Sequence, residues 1–274
     1  MRVALNRIGA ALALLLTVAG CGTGGGTSVA DKNTLVIGVS KDQPGLGLLQ
    51  SDGTYQGFDI DVARYIAAHM EKKKPKKVDF KVVQYDKRES WIQSGKVDLV
   101  ISSYSITPER KTKVAFAGPY YVAHQDTLVR ASDTGIKDVR NLAGRRLCAV
   151  TGSVSWQRVT VERGVPARVV KAPTYGDCMT KLIDNSLDAI STDDLILAGF
   201  AAQKGRSVRF VNAPISDERY GVGIKQDDIT GCEDINKAIT GMYLDGTAAQ
   251  LLRKWFGATG LHLTTTVPQF EGCG

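Results

Sequence analysis

The segment Ser103-Tyr104-Ser105-Ile106-Thr107-Pro108-Glu109-Arg110 brings two hydroxyls, a helix start and a guanidinium close together. Arg110 offers a planar fork that matches a carboxylate bidentately, and Thr107-Pro108 begins the helix that carries it. Ser103 and Ser105 follow the apolar run Leu99-Val100-Ile101. Strand alternation sends both hydroxyls to one side, at the carboxyl end of a strand, where α/β clefts form. Further on, Thr151-Gly152-Ser153 follows one apolar run and opens a helix, so backbone N–H groups there, that of Val154 included, can receive an anion. Asp193 ends another buried run, beside Asp194, which is better placed as a helix cap. Each residue also has a plain structural role open to it. Arg110 can pair with Glu109 on the surface, the serines can serve turns or caps, and either aspartate can cap a helix. Asp59 and Asp61 lie at a helix start, where acids favour the macrodipole, and are read as structural.

The chain that must position these groups has 274 residues, 43% hydrophobic and 23% charged, enough to bury a substantial core. That composition excludes intrinsic disorder and a disulfide-dependent miniprotein, and 29 Gly with 8 Pro excludes a collagen-like repeat. Beyond the N-terminus no run is long and apolar enough to span a bilayer, which excludes a multi-span transporter. At the N-terminus Arg2 and Arg7 precede the apolar run Ile8–Val18, and Ala19-Gly20-Cys21 follows. This pattern predicts a signal peptide over residues 1–20 and acylation of Cys21 as a lipoprotein, although Val18 stands where Leu is usual. Gly24-Gly25-Gly26 then begins a flexible lipidated tether, expected over 21–33.

Loss of the signal leaves 33 basic and 28 acidic side chains, a mild charge of +5. The basic run Lys72-Lys73-Lys74-Pro75-Lys76-Lys77 reads as a solvated helix end rather than a nucleic-acid patch. The four cysteines besides Cys21, namely Cys148, Cys178, Cys232 and Cys273, suggest disulfides outside the cytosol, and four cysteines allow three pairings. With no CxxC and with His69, His124 and His262 scattered, no metal or other cofactor is expected.

Strand-like and helix-like segments alternate along the body. Strand Leu35–Val39 leads to a helix capped by Asp59, with Ile60, Ala63, Ile66, Ala67 and Met70 on one face. Strand Phe80–Val83, a short helix near Ser90–Gln93, strand Leu99–Ser102 and the helix after Thr107 follow. A second series reads strand Arg146–Val150, helix Val154–Arg163, strand Ala167–Val170, helix Tyr175–Asn185, strand Ala189–Ser191 and helix Leu195–Lys204. Two α/β units are therefore predicted, with a helical tail, Glu233–Phe256, returning to cover the first.

The order of motifs over residues 34–257 resembles the extracellular solute-binding proteins of polar amino-acid ABC importers. It runs Gly57-Phe58-Asp59-Ile60-Asp61, Ser94-Gly95-Lys96-Val97-Asp98, Ser105 through Arg110, Phe116-Ala117-Gly118-Pro119-Tyr120-Tyr121, Leu142-Ala143-Gly144, Thr151-Gly152-Ser153, Leu187-Asp188-Ala189, and Asp245-Gly246-Thr247 before Lys254-Trp255-Phe256. Asp42-Gln43-Pro44-Gly45-Leu46-Gly47, Thr192 through Gly199 and the placing of the four body cysteines look like the glutamate-binding lipoproteins of Gram-positive importers.

The resemblance implies a type II periplasmic-binding-protein-like α/β fold with a ligand cleft between two lobes, residues 34–121 plus 218–274 and residues 122–217. Cys148–Cys178 and Cys232–Cys273 is then the pairing that keeps each bridge within one lobe. It also implies Arg110 on an α-carboxylate, with Ser103, Ser105, Ser153 and the Val154 backbone beside it, and Asp193 on the ammonium. Relatives that bind acidic amino acids use basic residues where Lys41 and Arg88 stand, which favours glutamate or aspartate. Pro44-Gly45-Leu46 replaces the stacking aromatic common elsewhere in the family. The expected protein is a monomeric, membrane-anchored receptor that hands its ligand to an ABC permease and binds no nucleic acid. A dehydratase-like enzyme, with Glu109 as its nearest acid, and a sensing or adhesive lipoprotein are the other functions such a scaffold allows.

Overall fold

The computed structural model describes residues 27–70 and 75–273. The signal segment, Cys21 and the glycine tether lie outside the described residues, as do Lys72, Lys73 and Lys74 of the basic run. Residues 28–33, expected within the tether, belong to the folded body: Val29 and Ala30 are buried, and Asp228 accepts from the Ser28 hydroxyl at 2.5 Å and the Val29 N–H at 2.7 Å.

β1 (Thr34–Val39) has Leu35, Ile37 and Val39 fully buried, the alternation of a strand with one face on a core. β2 (Asp42–Gln43), β3 (Gly47–Leu49) and β4 (Tyr55–Gln56) make a small antiparallel sheet. α1 (Phe58–His69) starts two residues earlier than expected, because Gly57 rather than Asp59 occupies the cap position. Gly57 has φ 132°, and a Cβ there would stand 2.0 Å from the Leu46 carbonyl oxygen, so only glycine fits. Asp59 instead lies inside the first turn, fully buried.

β5 (Lys77–Val82), α2 (Arg88–Gln93), β6 (Leu99–Val100) and α3 (Pro108–Lys111) complete the first unit. Thr107 caps α3 by accepting the Arg110 N–H at 3.2 Å, with Pro108 at the first helical position. The next strand, β7 (Ala115–Arg130), is 16 residues long. β8 (Arg146–Val150), α4 (Ser155–Gln157), β9 (Arg168–Ala172), α5 (Tyr175–Ile183), β10 (Ala189–Asp193), α6 (Asp194–Lys204) and β11 (Val208–Phe210) form the second unit. The helix expected over Val154–Arg163 is only α4 followed by a π turn, Arg158–Glu162. β12 (Ser216–Ile224) returns to the first unit, and the expected helical tail forms as two helices, α7 (Ile229–Leu244) and α8 (Thr247–Phe256). The break falls at Asp245-Gly246, where Gly246 takes φ 80°.

The main sheet runs β5-β1-β6-β12-β7-β10-β8-β9, with β11 also on β7. β1 is parallel to β5 and β6, and β8 is parallel to β9 and β10. Between these two parallel blocks β7 and β12 pair antiparallel from Ile224 opposite Ala115 to Ser216 opposite Gln125, with a register shift between Tyr220 and Val222. Two α/β lobes thus share one sheet through two long strands. α7 packs on β7 and α1, so the tail covers the first lobe as expected. Both disulfides form, Cys148 of β8 to Cys178 of α5 and Cys232 of α7 to Cys273 of the tail. They close 30 and 41 residues of chain, and each restricts the unfolded chain by about 3–4 kcal/mol on the loop-entropy estimate.

Candidate ligand-binding cleft

Seven of the eight expected ligand residues line one small cavity between the lobes: Arg88, Ser103, Ser105 and Arg110 from one side, Ser153, Val154 and Asp193 from the other. Its volume is about 10 Å³, the space of about one water, so any larger guest requires the lobes to separate first. Tyr85, Ser155, Tyr175 and Ile196 line it too, and none of these was anticipated. Tyr85 stands one helical turn before Arg88, and Tyr175 opens a helix after its Thr174 cap. Those spacings were the available signals.

The guanidiniums are held from below. Arg88, the first residue of α2, is 2% exposed; its Nε donates to the Tyr85 carbonyl and its Nη2 to the Gly152 carbonyl, both at 3.0 Å. Arg110, at the third position of α3, donates from Nη1 to the Ser105 carbonyl at 2.6 Å and from Nη2 to the same Gly152 carbonyl at 3.0 Å. The Tyr104 ring lies against both cations, 4.2 Å from Arg88 Cζ and 4.9 Å from Arg110 Cζ. Glu89 stands 3.4 Å from Arg110 Nε and also accepts from the Tyr104 hydroxyl at 2.7 Å. Burial, and then the neighbouring charge of Arg88, bring Arg110 down to about 10, still a cation at neutral pH. Among the described residues Arg88 forms no ion pair with a carboxylate, so it is a buried charge without a counter-ion.

Ser103 sits in the left-handed region, at φ 43°. Two buried groups hold that conformation: Asp59 Oδ2 accepts the Ser103 N–H at 2.8 Å, and the Gln43 amide lies 2.9 Å from the Ser103 hydroxyl. Tyr120 donates its hydroxyl to the other Asp59 oxygen at 2.8 Å. Burial pushes Asp59 up to about 6 against these hydrogen bonds. Its role is structural, as expected, but it secures the serine segment of the cleft and does not cap a helix. Asp61 is bonded to Lys254 Nζ at 2.7 Å and Trp255 Nε1 at 2.9 Å, which ties α1 to α8.

Across the cleft Gly152 takes φ 82°, and a Cβ there would meet the Asp86 backbone nitrogen at 2.4 Å, so the chains approach as closely as glycine allows. Val154 occupies the cap position of α4 and lines the cavity. Behind it the Ser155, Tyr175 and Thr192 hydroxyls form a buried cluster with separations of 2.7 to 3.2 Å. Asp193 ends β10, 3% exposed, with the Tyr220 hydroxyl beside it, and among the described residues its Oδ1 makes no well-aligned hydrogen bond. Burial, and then the negative charge of Glu218, push the Asp193 carboxyl well above the usual carboxylate range. Glu218 is itself 1% exposed and ion-paired with Arg158. Asp194 accepts the Leu195 N–H at 2.7 Å, a local role at the helix start.

Lys41 is not brought to this cavity. It is exposed and lines a separate opening of about 560 Å³ with Asp42, Asp86 and Lys171, sharing only the Tyr85 wall. Glu109 is also outside, 78% exposed at its side chain and bonded to Lys113 at 3.0 Å.

Two buried cations thus face one buried acid, Asp193, across a seam lined by hydroxyls and backbone. Such a site suits holding a charged molecule. Residues 35–258 match the bacterial extracellular solute-binding proteins, family 3. The chain is 36% identical over 270 residues to the glutamate-binding protein GluB of Corynebacterium glutamicum, covering 92% of this chain and 91% of that protein. It is 34% identical to the ABC transporter glutamine-binding protein GlnH of Bacillus subtilis, over 83% of each. Among solved structures, an ancestral arginine-binding protein bound to arginine superposes with a TM-score of 0.76 at 33% identity, over 82% of this chain and 99% of that one. The match runs through both lobes and every strand of the main sheet, and the chain belongs to family 3 of the bacterial extracellular solute-binding proteins.

Proposed function

We propose that the protein captures an acidic amino acid, glutamate or aspartate, between its lobes and delivers it to an ABC importer permease. The observation that carries this reading is the charge count of the cavity: Arg88 and Arg110 against Asp193. A dicarboxylic amino acid has the complementary set, two carboxylates and one ammonium, and a buried charge needs a partner of opposite sign. Arg110 takes the α-carboxylate with Ser103, Ser105, Ser153 and the Val154 backbone around it, Asp193 takes the ammonium, and Arg88 takes the side-chain carboxylate. Lys41, at the edge of the adjoining opening, adds positive potential on the approach. Glutamine would leave Arg88 without an anion, and an arginine side chain would bring a third cation. The glutamate-binding relative at 36% identity supports the same assignment.

The lobes exchange where Val122 faces Arg219 and Ala123 faces Glu218 on β7 and β12, which supports boundaries of 34–121 plus 218–274 and 122–217. Acylation at Cys21, read from sequence, would keep this monomeric receptor at the membrane beside its permease. A thermal-shift screen with the twenty amino acids tests the substrate. A ligand at a hundredfold excess over its dissociation constant stabilises by about 2.7 kcal/mol, so glutamate or aspartate must give the largest rise. A larger rise with glutamine or arginine would overturn the acidic assignment.

A further inference from the structure

Apart from the ligand cavity, the lobes meet at a second place. β2 and its loop belong to the first lobe, fixed there by the Phe58 and Asp59 N–H groups, which donate to the Gly45 and Leu46 carbonyls at 2.8 and 3.1 Å. Yet Asp42 Oδ2 accepts the Gly176 N–H of α5, in the second lobe, at 3.0 Å. The Pro44 carbonyl lies directly on α6: a Cβ at Gly199 would stand 1.8 Å from that oxygen, 2.8 Å from the Pro44 carbonyl carbon and 3.4 Å from its Cα. A carbonyl seated so closely on a glycine Cα is a contact that no other residue permits. α5 in turn is stapled to β8 by Cys148–Cys178, two residues beyond Gly176, so the surface that receives Asp42 is firm.

We propose that Asp42 and Pro44 of the first lobe, with Gly176 and Gly199 of the second, form a closure seam that sets how long a bound ligand is retained. These are positioning residues: none lines the ligand cavity. The seam can form only when the lobes meet, so it adds free energy to the closed form alone and appears chiefly in the dissociation rate. The inference rests on the binding-protein reading, but not on which amino acid binds.

The test uses the full chain and whichever of the twenty amino acids most raises the melting temperature of wild type. Gly199→Ala should accelerate ligand release at least tenfold, while the melting temperature without ligand stays level or rises, since alanine suits a helix interior better than glycine. Asp42→Ala should accelerate release severalfold and Asp42→Asn less, because the amide oxygen still accepts the Gly176 N–H. A fluorophore pair, one on each lobe, should report less complete closure at saturating ligand for Gly199→Ala. Release within twofold of wild type for both alanine variants, or full closure of Gly199→Ala, would overturn the seam while leaving the ligand site standing. A screen led by a non-acidic amino acid would instead overturn the substrate and leave the seam to be judged with that ligand.

Discussion

Replacing Arg88 by methionine removes a buried cation and leaves most of its volume. In the fold Arg88 is 2% exposed, makes two backbone hydrogen bonds and lies against the rings of Tyr85 and Tyr104, with no carboxylate paired to it among the described residues. A buried ion replaced by a well-packed apolar residue is often neutral or stabilising by about 1–4 kcal/mol. The two hydrogen bonds given up here offset about 1–3 kcal/mol of that. The ligand-free protein should therefore melt within a few degrees of wild type. Glutamate binding should change far more, because its γ-carboxylate would enter the cleft without a partner, and loss of one member of a buried charge pair costs about 3–5 kcal/mol. That corresponds to about two to four decades in dissociation constant. Glutamine has no such charge and should lose less than tenfold, so the glutamate preference of wild type collapses or inverts. Calorimetric titration of both ligands into both proteins measures the difference directly. Equal weakening of the two ligands, or a wild type that binds them equally, would refute the assignment of Arg88 to a side-chain carboxylate.

The shared handle is tested by Arg110→Ala and Asp193→Ala, each expected to weaken glutamate at least a hundredfold with folding intact by circular dichroism; less than tenfold for both would remove them from the site. Because the Asp193 carboxyl sits well above its ordinary value in the unliganded fold, an ammonium beside it should bring it down again and expel a proton. Affinity should then fall as pH drops through the raised value, and calorimetry in buffers of different ionisation enthalpy should show proton release; no proton release would refute the pairing. The sign for folding is opposite: a raised carboxyl favours the unliganded fold at low pH, and that contribution is lost as pH rises above the ordinary carboxylate value. Finally, Cys21→Ser should move the protein from the membrane fraction to the soluble fraction without changing ligand affinity, and unchanged membrane retention would exclude the lipid anchor.

The parallel blocks were legible because their strands are short apolar runs between helices of clear period; Arg146–Val150 has its predicted bounds to the residue. β7 and β12 were not. Residues such as Gln125, Asp126 and Glu218 interrupt the apolar pattern of these strands, and they are buried by partners far away in sequence, which no local periodicity reports. The cleft was legible through chemistry that works at short range, a capped Arg110 and two serines after a strand. Lys41 illustrates the limit, since its place between β1 and β2 fixes where the side chain begins but not which of two neighbouring openings it enters. Asp59 was placed in the right turn and given the wrong task, because its partners Ser103 and Tyr120 are distant in sequence.

The C-terminal tail bears on how the two shared strands move. Glu271 donates its N–H to the Gly118 carbonyl at 2.7 Å and pairs with Lys111 and Arg219, while Cys273 is bonded to α7 and accepts from Asn236 at 3.1 Å. The tail is therefore a splint laid along the first-lobe end of the β7–β12 ribbon. Glu271 grips Gly118 inside the register shift and Arg219 beyond it, so the shift is held and the ribbon flexes past Arg219, where Glu218 faces Ala123. Hydrogen exchange should then show slow amides at the register shift and faster ones past Glu218, and cutting the chain before Glu271 should spread the faster exchange back through the shift.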